Sequence, residues 1–208
     1  MIEIKHKKTG ELLMLLEVAA LSECKLEGAH LPHADFSGMD LSSCNLRNAD
    51  LREADMSGAN LEGCNLHSAC LQGARLDHAN LSNADLTDAI LPESSLVHVD
   101  LRNALLRYAN LHACKMSHAN LSGADASLAD LSKADLHESN LSAADLRGAD
   151  LRSANLTKSI LVGAKLSNAK LTCAMMVGST TSAGKAAAAP AKSGFRRKSP
   201  KKWWEVWK

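Results

Sequence analysis

His78, His98 and His118 recur every 20 residues, and Glu138 continues the series. Imidazole is a good ligand for zinc, nickel or copper, so neighbouring rings in such a column could share an ion. Three rings in a straight ladder do not converge on a tetrahedral centre. The bland alternative is a solvated polar column that responds weakly to pH. Cys24, Cys44 and Cys64 keep the same 20-residue spacing, and Cys114 is offset from them by half of it. A functional reading is a thiol ladder for metal or redox work; the favoured one is Cys replacing Ala as a small buried hydrophobe. Cys70 and Cys173 stand about five such intervals apart, too far for a disulfide. Serine and histidine elsewhere are scattered, and a straight repetitive surface offers no pocket to exclude water or shift a pKa. The expectation is a chain that is not an enzyme and holds no cofactor or metal.

What must position these residues is a repeat. Every fifth residue from Leu21 to Met176 gives 32 positions, of which 27 are Leu; the others are Phe36, Met56, Met116, Ala126 and Met176. Two residues before each stands a small residue, 23 times Ala, four times Cys and three times Ser, with Met39 and Val99 the exceptions, and the residue between them is Asp or Asn in 19 of the 32. No insertion breaks the register, which is the signature of a solenoid. Phe36, Met56, Met116 and Met176 differ by multiples of 20, so a 20-residue coil would put every bulky central residue on one face.

Units such as Ala49-Asp50-Leu51-Arg52-Glu53 and Ala119-Asn120-Leu121-Ser122-Gly123 resemble the pentapeptide-repeat family, whose pattern is A(D/N)LXX. The resemblance covers residues 19–178 and implies an all-β fold, a right-handed four-sided parallel β-helix with four pentapeptides per coil. It implies that the central residue and the small residue two before it point inward. Leu21, Phe36, Leu41, Met56, Leu61, Leu81, Met116, Leu121 and Met176 are then core. About eight coils at roughly 4.8 Å each make a rod of about 38 Å. The Asp or Asn before each central residue is repeated too often to be catalytic, and is expected to hydrogen-bond corner backbone groups.

Open β-edges invite polymerisation, so the ends need covers. Residues 1–18 read as a β-hairpin cap: Ile2-Glu3-Ile4-Lys5 alternates, Lys8-Thr9-Gly10 turns, and Glu11–Val18 returns with Leu13, Leu15 and Val18 or their neighbours inward. Glu11 and Glu17 bracket an apolar run of five residues, shorter than the roughly 7–15 of a signal peptide. Six cysteines without a disulfide-like framework fit a reducing cytoplasm, the expected location.

Charge is divided unevenly. Residues 19–178 hold 13 Lys and Arg against 19 Asp and Glu, whereas residues 179–208 hold eight against one. Residues 179–194 read as a flexible linker rich in Ala, Ser, Thr and Gly. Residues 195–208 form a basic, aromatic tail: Arg196, Arg197, Lys198, Lys201, Lys202, Trp203, Trp204, Val206 and Trp207. Such a tail could cap the last coil, dock on a protein, lie on an anionic membrane surface, or grip nucleic acid.

Two further groups suggest partners. Ala126 removes a central Leu, a void costing about 2–5 kcal/mol if unfilled. Beside it Leu105, Tyr108 and Leu128 occupy outward positions, either a partner patch or a distortion in which Leu128 turns inward. Ile160, Val162, Met175 and Val177 are outward in the last coils, and similar proteins dimerise through that end, so a homodimer is one expectation. The function expected is a non-catalytic protein-interaction scaffold with an unidentified protein partner. The alternatives are a DNA-mimicking gyrase modulator, implied by a subgroup of the family, and tail-mediated peripheral membrane association.

Overall fold

In the computed structural model, residues 1–181 are described, and every regular element among them is β. The repeat pairs with itself in one register. Parallel bridges join Lys25 to Asn45, His30 to Asp50 and so on, always 20 residues apart, up to Asn155 with Met175. A 20-residue coil of four five-residue units follows directly, because each unit meets the unit one coil on and no other.

The pentapeptide explains itself through its five amides, four of which find backbone partners. Leu26 N donates to Asn45 O and Gly28 N to Arg47 O in the next coil, each at 2.8 Å. Asn45 N donates back to Cys24 O at 2.8 Å, and Ala29 N closes a turn onto Leu26 O at 3.1 Å. The fifth amide, two residues after the Asp or Asn, has no backbone acceptor. The Asx side chain supplies it: Asp40 Oδ1 accepts from Ser42 N at 3.1 Å, and Asn120 Oδ1 accepts from Ser122 N at 3.2 Å. All 19 Asp or Asn residues at that position make this bond, from Asp35 to Asn155. The D/N preference is thus a backbone-accounting device, since an amide left without a partner is costly where water is scarce.

Each corner also turns on a left-handed residue. Two positions after every central residue φ lies between +55° and +73°, at 23 non-glycine residues and nine glycines. Turns of this kind favour Gly or Asn at their third position, so the non-glycine corners carry backbone strain of about 1–2 kcal/mol apiece.

The interior is dry. Leu21, Phe36, Leu41, Met56, Leu61, Leu81, Met116, Leu121 and Met176 are all buried, as is Ala126. The fully buried serines are held to backbone carbonyls: Ser94 Oγ donates to Leu71 O at 2.7 Å, and Ser139 Oγ to Leu136 O at 2.7 Å.

The N-terminal hairpin consists of β1 (Ile2–His6) and β2 (Leu12–Leu16), and β1 also pairs antiparallel with β3 (Ala34–Asp35). The register shifts at Ile4/Lys5, so Ile4 pairs with Met14 but Lys5 with Leu12. That irregularity sets which side chains enter the core. Ile4 is fully buried, with Ile2, Leu13, Met14 and Leu16 against the interior, whereas Leu15 is 48% exposed. Of the expected alternatives, Leu13 and the neighbours Met14 and Leu16 face inward, whereas Leu15 does not: it stands opposite Glu3, on the side of the hairpin turned away from the coils.

At the other end β4 (Ile160–Leu161) pairs in parallel with β5 (Thr180–Thr181). Among the described residues no later coil receives the amides of Leu166, Asn168, Leu171 and Cys173.

Candidate functional site

The outer columns bring together what the sequence had spaced by 20. His78 and His98 stack with centroids 4.9 Å apart and planes 11° from parallel; His98 and His118 stack at 4.7 Å and 10°. Each of the three is a left-handed corner residue, so the rings project from corners rather than from flat faces. Parallel stacking points the ring nitrogens along parallel edges and not toward a common centre. Among the described residues no group of three or more His, Cys, Asp or Glu is disposed to hold a metal ion.

The column ends in an ion cluster. Glu138 lies 3.4 Å from His118 Nδ1, 3.3 Å from His137 Nε2 and 2.8 Å from Lys158 Nζ. The Lys158 ammonium, hydrogen-bonded to Glu138, holds its carboxyl below the usual carboxylate range, with the charges of Lys158, His137 and His118 adding to the effect. All of these side chains are reached by solvent, so the cluster is worth little to stability.

The thiols sit differently from one another. Cys44, Cys64 and Cys114 are buried and donate to the carbonyls of Leu21, Leu41 and Leu91 respectively. Burial pushes the Cys114 thiol up to about 12, and Cys64, in contact with Cys44, is pushed up as well. A thiol held in its neutral form is neither nucleophile nor metal ligand. Cys24, at the first coil, is only half-buried, because no full coil lies before it; burial still raises its pKa. Cys70 is half-buried and Cys173 exposed.

Sequence reasoning overlooked one pattern. Wherever Asp-Leu-Arg occurs, the arginine folds back on the aspartate two residues earlier: Arg52 on Asp50, Arg102 on Asp100, Arg147 on Asp145 and Arg152 on Asp150, with closest contacts of 2.6–2.8 Å. The forked contacts are charge-assisted and bidentate. The tripeptide itself was the available signal. Its effect is to neutralise four carboxylates that would otherwise give the rod a strong negative field.

The outward apolar residues remain outward. Leu105 is 44% exposed, Tyr108 51% and Leu128 50%. Leu128 does not turn in to fill the space beside Ala126; that alternative is overturned. Its backbone is fixed as a left-handed corner at φ +62°, and its side chain lies along the outer surface over Gly148. The Arg107 guanidinium stands 5.7 Å from the Tyr108 ring centroid. Ile160, Val162, Met175 and Val177 are likewise exposed. The expected tail contacts, Arg196, Arg197, Lys198, Lys201, Lys202, Trp203, Trp204 and Trp207, lie outside the described residues, as does most of the expected linker.

The repeat and its register decide the family. Eight overlapping matches to the family model for pentapeptide repeats run from residues 19–58 to residues 149–179. The chain belongs to the pentapeptide-repeat family. Members of this family form right-handed β-helices. Among solved structures, HetL is 33% identical over 81% of this chain and 89% of that one, with a TM-score of 0.48. It is a pentapeptide repeat protein involved in heterocyst differentiation regulation in the cyanobacterium Nostoc sp. strain PCC 7120. A pentapeptide repeat protein of the Arabidopsis thaliana thylakoid lumen is 28% identical over 54% of this chain and 71% of that one, with a TM-score of 0.38. Full-length QnrB1, a plasmid-mediated fluoroquinolone resistance protein, is 18% identical over 76% of this chain and 92% of that one, with a TM-score of 0.41. No curated protein matches the sequence. No helix among the described residues is long and apolar enough to cross a membrane.

Proposed function

We propose that this pentapeptide-repeat protein is a non-catalytic scaffold that docks a protein partner through the patch formed by Leu105, Tyr108 and Leu128. One observation carries the reading: all three side chains are about half exposed, Leu105 44%, Tyr108 51% and Leu128 50%, on coils whose outer positions are mostly polar. Buried aromatic and aliphatic anchors dominate protein interfaces, and Tyr with a neighbouring Arg is a frequent combination there. In this reading residues 1–18 cap about eight coils, residues 179–194 link, residues 195–208 add a second contact, and the protein works in the cytoplasm.

The DNA-mimic alternative is the weaker one. B-DNA of about 38 Å carries roughly 22 phosphates, whereas residues 19–178 net −6 (13 cations against 19 acids). Four of those acids are clamped by arginines.

The test is affinity capture from lysate of the source organism with the full chain and with a Tyr108→Ala/Leu128→Asp variant, read by mass spectrometry. A partner held by the first and lost by the second supports the patch. A partner held equally by both, or none at all, counts against it.

A further inference from the structure

The turn of the N-terminal hairpin is built around one imidazole. His6, the last residue of β1, accepts from Lys8 N and from Thr9 N at its Nδ1, each at 3.2 Å. Its carbonyl accepts from Gly10 N at 2.9 Å, and its amide donates to Glu11 O at 2.8 Å. Lys7 N donates to His33 O in the first coil at 2.9 Å, and Glu11 N to Thr9 Oγ1 at 3.3 Å. Each of the five amides from residue 7 to residue 11 therefore has an acceptor, and His6 supplies three of them. Backbone amides only donate, so His6 Nδ1 carries no proton here and the ring hydrogen sits on Nε2.

Other histidines face the opposite way. His30, His33 and His118 hold Nδ1 at 2.8, 3.3 and 3.4 Å from the carboxylates of Asp50, Glu53 and Glu138, which favour a charged ring. Around His6 the carboxylates of Glu3, Asp35 and Glu53 are engaged by Lys5, Ser37 and His33 respectively. Glu11 meets His6 through its backbone carbonyl. The remaining neighbours are Lys8, Lys7, whose ammonium reaches the Glu53 carbonyl, and the His33 ring, 5.2 Å away between centroids.

We propose that His6 is an acid-sensitive latch on the N-terminal cap. Imidazole is the side chain whose charge changes between about pH 5 and 8. A proton arriving at Nδ1 turns the acceptor into a donor aimed at two other donors, and sets a cation beside Lys7, Lys8 and His33. The amides of Lys8 and Thr9 lose their acceptor together, so the turn opens and the β1–β2 pairing follows. The coil turns are closed instead by Asp and Asn oxygens, and carboxyl groups of ordinary strength stay ionised at about pH 5. Acid thus loosens the cap and leaves the rod. Opening brings the buried Ile4 to water and bares the first-coil edge at Ala34–Asp35, and an uncovered β-edge is a surface for another strand.

Hydrogen exchange of the full chain, corrected for the intrinsic pH dependence of exchange, is followed by mass spectrometry at about pH 7.5 and about pH 5. Protection of residues 7–16 is expected to fall about tenfold or more between the two, while residues 41–160 keep theirs. His6→Asn places an amide oxygen near the position of Nδ1 and does not titrate, so its hairpin protection changes less than about twofold. His6→Ala removes the acceptor and leaves the hairpin unprotected at both pH values. A measurement on the unaltered chain stands beside the variants: nitrogen-resolved NMR of the histidine rings reads the tautomer. It is expected to show Nε2–H on His6 at the higher pH, with the Lys8 and Thr9 amides shifting along the His6 titration. Hairpin protection that ignores pH, an equal loss in His6→Asn, or a proton on Nδ1 at the higher pH overturns the proposal. So does loss of protection throughout the coils at the lower pH, because the rod and not the latch would then be the acid-sensitive part.

Discussion

Leu128 lies across Gly148. A β-carbon on that glycine would stand 2.7 Å from Leu128 Cδ2, and the glycine's φ is +69°. The corner of one coil therefore rests on the bare backbone of the next, and the two residues are coupled. Gly148→Ala is expected to destabilise the chain by about 1–3 kcal/mol, combining left-handed strain with the clash. In a Leu128→Ala background the clash disappears and only the strain remains, so the penalty shrinks without vanishing. Thermal or urea unfolding of the four proteins measures this; equal penalties in both backgrounds would show that the contact has no energetic consequence.

Ala143 offers the opposite experiment. It holds φ +57° with a Cβ, directly below the corner at Gly163. Ala143→Gly relieves about 1–2 kcal/mol of strain and adds about 0.4–1 kcal/mol of unfolded-state entropy. The net expectation is a gain of about 0.5–1 kcal/mol, read as a raised unfolding midpoint. A lowered midpoint would mean that the coil geometry, not the side chain, carries the cost.

The cysteines should separate cleanly by reactivity. Cys173 is exposed and is expected to react with iodoacetamide in the native protein, while Cys44, Cys64 and Cys114 react only after unfolding. Cys64→Ser is expected to cost under about 1 kcal/mol, because a buried hydroxyl in the equivalent place already exists: Ser94 donates to Leu71 O at 2.7 Å, and Cys64 donates to Leu41 O. Peptide mapping of native and denatured samples counts the labels. Native labelling of Cys64 or Cys114 would contradict the dry interior.

Acid should act through the arginine-clamped aspartates. Arg52 donates to both oxygens of Asp50 and holds its carboxyl at about 2, against an ordinary 3.8. The folded value lies below the unfolded one, so the carboxylate's contribution is complete above about pH 4 and is lost as pH falls toward 2. After allowance for solvent screening this amounts to about 1 kcal/mol. Asp145 and Asp150, bonded by Arg147 and Arg152, are lowered in the same direction. Asp50→Asn should reduce stability at pH 7 but not at pH 2; an unchanged difference between the two would refute the linkage.

The solenoid was legible because each unit repeats the same physical solution, so 32 central positions report on one coil geometry. Inward Leu, inward Ala and the Asx acceptor each appear in the sequence as a fixed offset from the next unit. Single-copy features were harder to read. The hairpin's inward set depends on the register shift at Ile4/Lys5, which alternation cannot reveal, so the sequence leaves open whether Leu15 or its neighbours Met14 and Leu16 face the core. The fate of Leu128 depended on its own φ and on the glycine one coil on, a neighbour 20 residues away. In the candidate site, the histidine column followed from spacing alone. The ring that closes on Glu138 from the side, His137, belongs to a different column and has no such spacing.

The constant offset of 20 between paired residues, held from Lys25 to Met175, gives the chain an unusual relation to insertions and deletions. Removing 20 residues anywhere inside the repeat would shorten the molecule by one storey and restore every vertical neighbour type: turn over turn, Leu over Leu, acceptor over donor. Removing five would also rejoin a perfect repeat, but every side chain downstream would swing a quarter-turn around the axis. Local stability would barely register that difference. The relative bearing of the Tyr108 patch and the C-terminal end would change completely, so in this molecule chain length encodes direction.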